Sequence, residues 1–303
     1  MGIASFNELE KKVIDSKRKF RVAVANAGDS HSIEAIMLAV DKGFAEPVLV
    51  GDKDAIVKIL GEMGRTVPEE NIYDCPDVTE AVAKAVELVR EGKADFLMKG
   101  KLDTSALLKG VVKSGTGLND GNLMSALFIA AIPGCHKLVA VVDGGMLTYP
   151  SLEQKKALIN NTVHAFHCLC CENPKVGVLA CIEKVNPKMP ETVEAAELKR
   201  MNEEGEITGC FVEGPISYDC AMSPASAKEK SFNSPAAGDC DILIAPNIHA
   251  ANILSKALTV TCKAESAGCI IGARCPVVIS SRGSSPEEKC NSIMLAAAVV
   301  LGE

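Results

Sequence analysis

Residues 277–289 read VVISSRGSSPEEK. A β-branched run gives way to Ser280, Ser281, Arg282 and Gly283, and Ser285 followed by Pro286 then opens a helix. Unpaired N–H groups at a helix start and a guanidinium both favour an anion, phosphate above all. A blander role fits the same residues. Ser285 and Glu288 have the spacing of a capping box, with Pro286 at the first helical position. From its spacing the carboxylate at position 288 reads as a helix cap.

Three other apolar runs end in small polar loops. LMKGKLDTSALL sets Lys99 and Gly100 ahead of Asp103 or Thr104 as an N-cap. VVDGGMLTYP ends on Asp143 and two glycines, and IAPNIHAAN supplies Asn247 and Asn252. Each one alone reads as a turn or a cap. Together they point to a shared cleft, because ligands of α/β sheets sit beyond the carboxyl ends of the strands.

Other chemistries find less support. In HAFHCLCC, positions 164, 167, 168 and 171 share one face of a helix, but no second C-x-x-C or H-x-x-x-H cluster supplies the remaining ligands of a metal. The segment reads as helix packing, and no metal site is assigned. GTGLNDG misses the dinucleotide fingerprint by one residue, and no G-x-x-x-x-G-K-[ST] loop occurs. A metal-dependent β-decarboxylating dehydrogenase needs a cluster of aspartates around its ion, and no D-x-x-x-D stands at a helix start.

The elements that must position these loops alternate in type. Strand candidates fall at 21–27, 47–52, 71–75, 95–100, 137–145, 175–182, 209–214, 241–247, 268–273 and 276–281. Their near-continuous hydrophobicity suits strands buried on both faces of a parallel sheet. Between them SIEAIMLAVDKG, VTEAVAKAVELVREG and PETVEAAELKRMNEEG read as amphipathic helices ending at glycine. The pattern predicts a doubly wound α/β architecture, with too many strands for one comfortable sheet and hence two domains. AIPGCHK (131–137) is the expected crossing point. Domain 1 then comprises 1–134 plus 274–303, and domain 2 comprises 135–273. The last helix has no strand after it and must pack back on the earlier domain.

Composition narrows the partners. The 303 residues are 48% hydrophobic and 23% charged, a globular balance. A net charge of −7 disfavours nucleic acid and anionic membranes, so an anionic ligand must be held by local basic groups. Only 4% of residues are aromatic and none is Trp, which removes base-stacking platforms. The N-terminal MGIASFNELEKKVIDSKRKF has no apolar core of a leader, and no apolar run is long enough to span a bilayer. Thirteen cysteines without a secretion signal suit a reducing, cytoplasmic compartment.

Six segments carry a family resemblance: FLMKGKLDTSALLKGVV, GNLMSALFIAA, VVDGGMLTYPSLEQKKALINN, ENPKVGVLACIEKVNPKMPETVEAAEL, SPAAGDCDILIAPN and SSRGSSPEEK. In order, they resemble the phosphate acetyl/butyryltransferase family, on its butyryltransferase side. The resemblance implies a two-domain fold like that of isocitrate and isopropylmalate dehydrogenases, an active site in the interdomain cleft and a homodimer or higher homo-oligomer. It implies the reaction acyl-CoA plus phosphate giving acyl phosphate plus CoA, with CoA and phosphate as substrates and no permanently bound cofactor. Direct thiol attack in a ternary complex is expected, on a short acyl chain with butyryl favoured. An acetyl-specific enzyme and a non-catalytic CoA or acyl-phosphate binder are the alternatives. The resemblance makes Ser281, Arg282 and Glu288 catalytic. It gives substrate binding to Lys99, Gly100, Thr104, Asp143, Asn247, Asn252, Ser280 and Gly283. The chain departs from the family at Glu288, where acetyl-specific members carry aspartate, and at His249 and Ala251, where the family reads glutamate and glycine.

Overall fold

The computed structural model describes residues 3–281 and 283–303, which form eleven strands and eleven α-helices. They fall into two compact units. The first unit is Asn7–Met124 with Ala267–Glu303, and the second is Ser125–Ser266 with the residues before Asn7.

The first stretch of chain runs α1 (Phe6–Asp15), β1 (Phe20–Ala25), α2 (Ser30–Asp41), β2 (Ala45–Gly51), α3 (Lys53–Glu62), β3 (Ile72–Asp74), α4 (Val78–Arg90), β4 (Phe96–Lys99) and α5 (Thr104–Val111). The middle stretch runs β5 (Ser125–Ala131), β6 (Leu138–Val142), α6 (Leu152–Cys168), β7 (Lys175–Leu179), α7 (Pro190–Glu203), β8 (Phe211–Ile216), α8 (Tyr218–Met222), α9 (Pro224–Glu229), β9 (Ile242–Ile244) and α10 (Ile248–Lys256). The chain closes with β10 (Glu265–Ile271), β11 (Val277–Val278) and α11 (Pro286–Gly302).

In the first unit the strand order is β3-β2-β1-β4-β11-β10. All pairs are parallel except β10 with β11. β1 and β4 bury almost every side chain, because helices cover both faces of a parallel sheet. Each fully buried side chain such as Leu97 or Ile36 contributes about 1.5–3 kcal/mol of transfer free energy. The terminal helix α11 packs against α2 in the same unit. Ala296, Ala297 and Ala298 of that helix are all fully buried.

The second unit orders its strands β5-β6-β9-β7-β8, parallel except for β5 against β6. Its core gathers Val139, Val141, Leu243, Ile216 and Cys240. The strand β5 was not among those read from the sequence, because SALFIAA is rich in alanine and poor in β-branched residues. It pairs with β6 through register Ala131 to Leu138, so Pro133 and Gly134 lie in the connection of an antiparallel pair. The boundaries of the units fall at 124/125 and 266/267.

The helices α2, α4 and α7 end at a glycine with positive φ. Gly43 follows α2 with φ +86°, and its N–H donates to the Val40 carbonyl at 2.9 Å. That left-handed backbone is one an L side chain rarely adopts.

Candidate active site

In the first unit β1, β4 and β11 run parallel, with Ala25 beside Lys99 and Met98 beside Val278. Their carboxyl ends therefore deliver three loops to one edge, where the strand order reverses about β1 and β4. The loops are laced together. Gly100 N–H donates to Ala25 O at 2.9 Å and Lys101 N–H to Asn26 O at 2.8 Å. Position 100 admits only glycine without backbone movement, since an added Cβ would lie 2.3 Å from Asn26 O and 2.6 Å from Ala25 O.

The edge holds a cleft of about 630 Å³. Lys99, Gly100, Lys101, Leu102 and Asp103 come from the β4 loop, Ser280 and Ser281 from the end of β11, and Asp29, His31 and Ser32 from the start of α2. Lys99 is only 8% exposed. Its ammonium donates to the carbonyls of Leu102 at 3.1 Å and Gly100 at 3.4 Å. A cation fixed by carbonyls inside a polar cleft is set to receive an anion. Ser281 is exposed in the cleft and Ser280 half-buried.

The other sequence-read residues of this unit sit around that core. Thr104 is the exposed first residue of α5, behind Asp103 at the N-cap position, and the cleft wall takes Asp103 and Ala106. Gly283 is exposed, and the space where a side chain would stand is open. Arg282 lies outside the described residues. Glu288 forms both arms of the capping box: its Oε2 accepts from Ser285 N–H, and its own N–H donates to Ser285 Oγ, each at 3.2 Å. It stands outside the cleft lining.

Sequence reasoning missed five charged or polar lining residues, Asp29, His31, Ser32, Lys101 and Lys289. A signal existed for the first three. ANAGDSHS leaves a strand and enters a helix just as the later loops do, and Asp29 caps α2 by accepting from Ser32 N–H at 2.9 Å. Its second oxygen is buried with no hydrogen-bond partner among the described residues. Lys289 had no such signal, because a lysine after two glutamates reads as a solvated helix face.

The second unit has its own strand ends. Asp143, 2% exposed, follows β6. Its Oδ1 accepts from Gly145 and Met146 N–H at 2.8 and 2.9 Å, and its Oδ2 from Ala126 N–H at 3.2 Å. Burial pushes this carboxyl above the ordinary aspartate value, and the backbone donors pull it partly back. Asn247 caps α10 by accepting from Ala250 N–H at 3.1 Å. Asn252 donates to Gly144 O at 3.1 Å, so the structure brings the Asp143 loop and α10 together. His249 rests beside the Tyr149 ring at 5.9 Å.

A charged cluster closes the ends of β7 and β8. The Ser217 hydroxyl lies within hydrogen-bonding reach of both Glu183 and Asp219. Lys230 donates to Glu183 at 3.0 Å, Asp219 at 2.9 Å and Ser217 at 3.2 Å. Hydrogen bonds from Ser217 and then Lys230 hold Asp219 down at about 2. Asp219 and then Glu183 raise the Lys230 ammonium in turn. Glu183, Asp219 and Cys220 offer ligand atoms within 4.8 Å of one another, but the ammonium already supplies the cation there. In HAFHCLCC the helix stops at Cys168, so Cys171 lies past its end, and His167 Nε2 pairs with Gly209 O at 2.8 Å.

Comparison with known proteins identifies the family. Residues 74–297 match the family described as phosphate acetyl/butaryl transferase. A phosphate butyryltransferase of Clostridium acetobutylicum is 41% identical over 98% of this chain and 98% of its own. The chain belongs to this family. A phosphate acetyltransferase of Thermotoga maritima is 44% identical over 95% of this chain and 98% of its own. Among solved structures, a branched-chain phosphotransacylase of Enterococcus faecalis shares 28% identity with a TM-score of 0.81, covering 93% of this chain and 99% of that one. A 4-hydroxythreonine-4-phosphate dehydrogenase of Klebsiella pneumoniae has a TM-score of 0.57 at 13% identity, covering 93% and 99%. It shows that the α/β fold is shared with dehydrogenases of the isocitrate dehydrogenase-like class. This acyltransferase thus moves an acyl group between CoA and phosphate, both of them substrates, with no cofactor held permanently. Among the described residues no helix is long and apolar enough to cross a membrane.

Proposed function

We propose that the enzyme exchanges a short acyl group between CoA and phosphate, taking butyryl in preference to acetyl. The observation that carries the assignment of the site is one cleft in which carbonyl-held Lys99 and Ser281 stand at the ends of parallel strands. Support for butyryl comes from the full-length match to a phosphate butyryltransferase and the likeness to a branched-chain phosphotransacylase. The match to a phosphate acetyltransferase favours the second reading, an acetyl enzyme. Steady-state kcat/KM for acetyl-, propionyl-, butyryl-, isobutyryl- and isovaleryl-CoA decides. Butyryl or a branched C4–C5 chain should lead. Acetyl-CoA as the best substrate would overturn the preference.

The chemistry needs little covalent work from the protein. The CoA sulfur attacks the carbonyl carbon of the acyl phosphate, the carbon–oxygen bond to phosphate breaks, and phosphate leaves with the bonding pair. The reverse reaction makes acyl phosphate. A free thiol has a pKa of about 8.5, so only a small fraction is thiolate at neutral pH. Ser281 serves the sulfur by hydrogen bonding. Glu288 takes the proton through the oxygen that the cap leaves over, a contact made once CoA is in place. Lys99 and Arg282 stabilise the phosphate as charge gathers on it, with Gly100 holding the loop close to β1 and the first turn of α5 at Thr104 beside them. Ser280 and Gly283 give the segment its small, close-fitting shape. In the second unit, Asp143, Asn247 and Asn252 organise a strand-end loop for substrate. The enzyme works in the cytoplasm as a homodimer or higher homo-oligomer, as the family resemblance implies.

A further inference from the structure

Three lysines are buried among the described residues: Lys99, Lys155 and Lys289, at 8%, 4% and 6% exposure. An ammonium out of water needs an opposite charge or acceptors. Lys155 has Glu194, and Lys99 has two carbonyls. Lys289 makes no side-chain hydrogen bond or ion pair among the described residues. Nor does its location suit a cation otherwise. It is the fourth residue of α11, in the first turn, where the helix dipole favours negative charge. Its neighbour Glu288 already gives an oxygen to the cap. Its side chain lines the same cleft as Lys99, Ser280 and Ser281. A lysine buried along its stem, with no side-chain partner among the described residues, that opens on the cleft at the positive end of a helix is placed to take an anion from solution.

We propose that Lys289 is a phosphate-binding residue of this cleft, acting with Lys99 on inorganic phosphate or on the phosphoryl group of the acyl phosphate. The proposal rests on the acyltransferase reading above and assigns one substrate to one residue. CoA carries phosphates too, so the test separates the two sources. In Lys289→Gln the KM for inorganic phosphate should rise about tenfold or more, the scale of one charge-assisted hydrogen bond. The KM for butyryl-CoA should stay unchanged. The melting temperature in phosphate-free buffer should hold, since the ammonium removed has no side-chain partner among the described residues. The stabilisation that inorganic phosphate gives the wild type should be lost. Lys289→Arg should recover part of it.

A rise in the acyl-CoA KM with the phosphate KM unmoved would overturn the proposal and assign Lys289 to the phosphates of CoA. Normal KM values with a lowered melting temperature would overturn it as well, leaving a structural lysine. If the glutamine variant does not fold, Lys289→Arg decides: a retained phosphate-induced rise in melting temperature supports the site, and its loss sinks it. Wild-type protein that phosphate stabilises but that exchanges no acyl-CoA would remove the acyltransferase reading and leave the phosphate site standing.

Discussion

Two charged regions, each built at the carboxyl ends of parallel strands, treat their lysines differently. In the second unit Lys230 meets Glu183, Asp219 and Ser217 within 3.2 Å, so its charge is neutralised on the spot. In the cleft of the first unit Lys99 donates to the carbonyls of Gly100 and Leu102, and Lys289 has no side-chain partner among the described residues. The Lys230 cluster is largely exposed, where ion pairs contribute little because water screens them. Lys289 is buried along most of its length and opens on the cleft. Pairing marks a region that shapes the fold. A cation that lines a cleft with no side-chain partner among the described residues, as Lys289 does, marks the region that waits for a ligand.

The largest expected effect comes from Glu288→Gln. Glutamine keeps the back-bond of the capping box but cannot accept a proton, so the melting temperature should stay while turnover falls by roughly 10²–10⁴. Wild-type turnover across the pH range would reduce Glu288 to a cap and leave thiol activation to Ser281. Next is Arg282→Ala, with an expected loss of about 10²–10³ in kcat, and Arg282→Lys recovering only part because lysine lacks the planar two-point contact. Near-normal kinetics would return Arg282 to the status of a loop residue.

The paired region should respond in stability alone. Asp219→Asn should leave kcat/KM unchanged and lower the melting temperature at neutral pH. Its carboxyl is depressed from 3.8 to about 2 in the folded state, so its contribution is present above pH 3.8 and disappears as pH falls towards 2. Wild type and variant should therefore converge over that window in acid-unfolding curves. A clear loss of turnover would break the comparison and draw the cluster into the site. The smallest effect is expected from chelation. EDTA should leave both turnover and melting temperature alone, and restoration of activity by zinc or magnesium after EDTA would contradict the assignment of lysine as the cation near Glu183, Asp219 and Cys220.

What the sequence by itself determined is mostly local. Ser285 and Glu288 are three residues apart, and both arms of the capping box are present because that spacing alone sets them within reach. Glycines after α2, α4 and α7 stop those helices through their own backbone freedom. The alternation of apolar runs and amphipathic helices sufficed for a doubly wound α/β fold, and the strand-end rule led to Lys99, Gly100, Ser280 and Ser281, which share one cleft. Tertiary structure decided the rest. Lys289 looks solvated in sequence and is buried only because α11 returns to pack on α2. Asp143 reads as a turn residue or a substrate ligand, and only the fold shows that N–H groups from its own loop and from β5 occupy its carboxylate. Glu183, Ser217 and Lys230 come together from three separate segments. Short-range hydrogen bonds are written in spacing, whereas burial and charge pairing depend on which distant segment the chain packs against, and no local pattern carries that information.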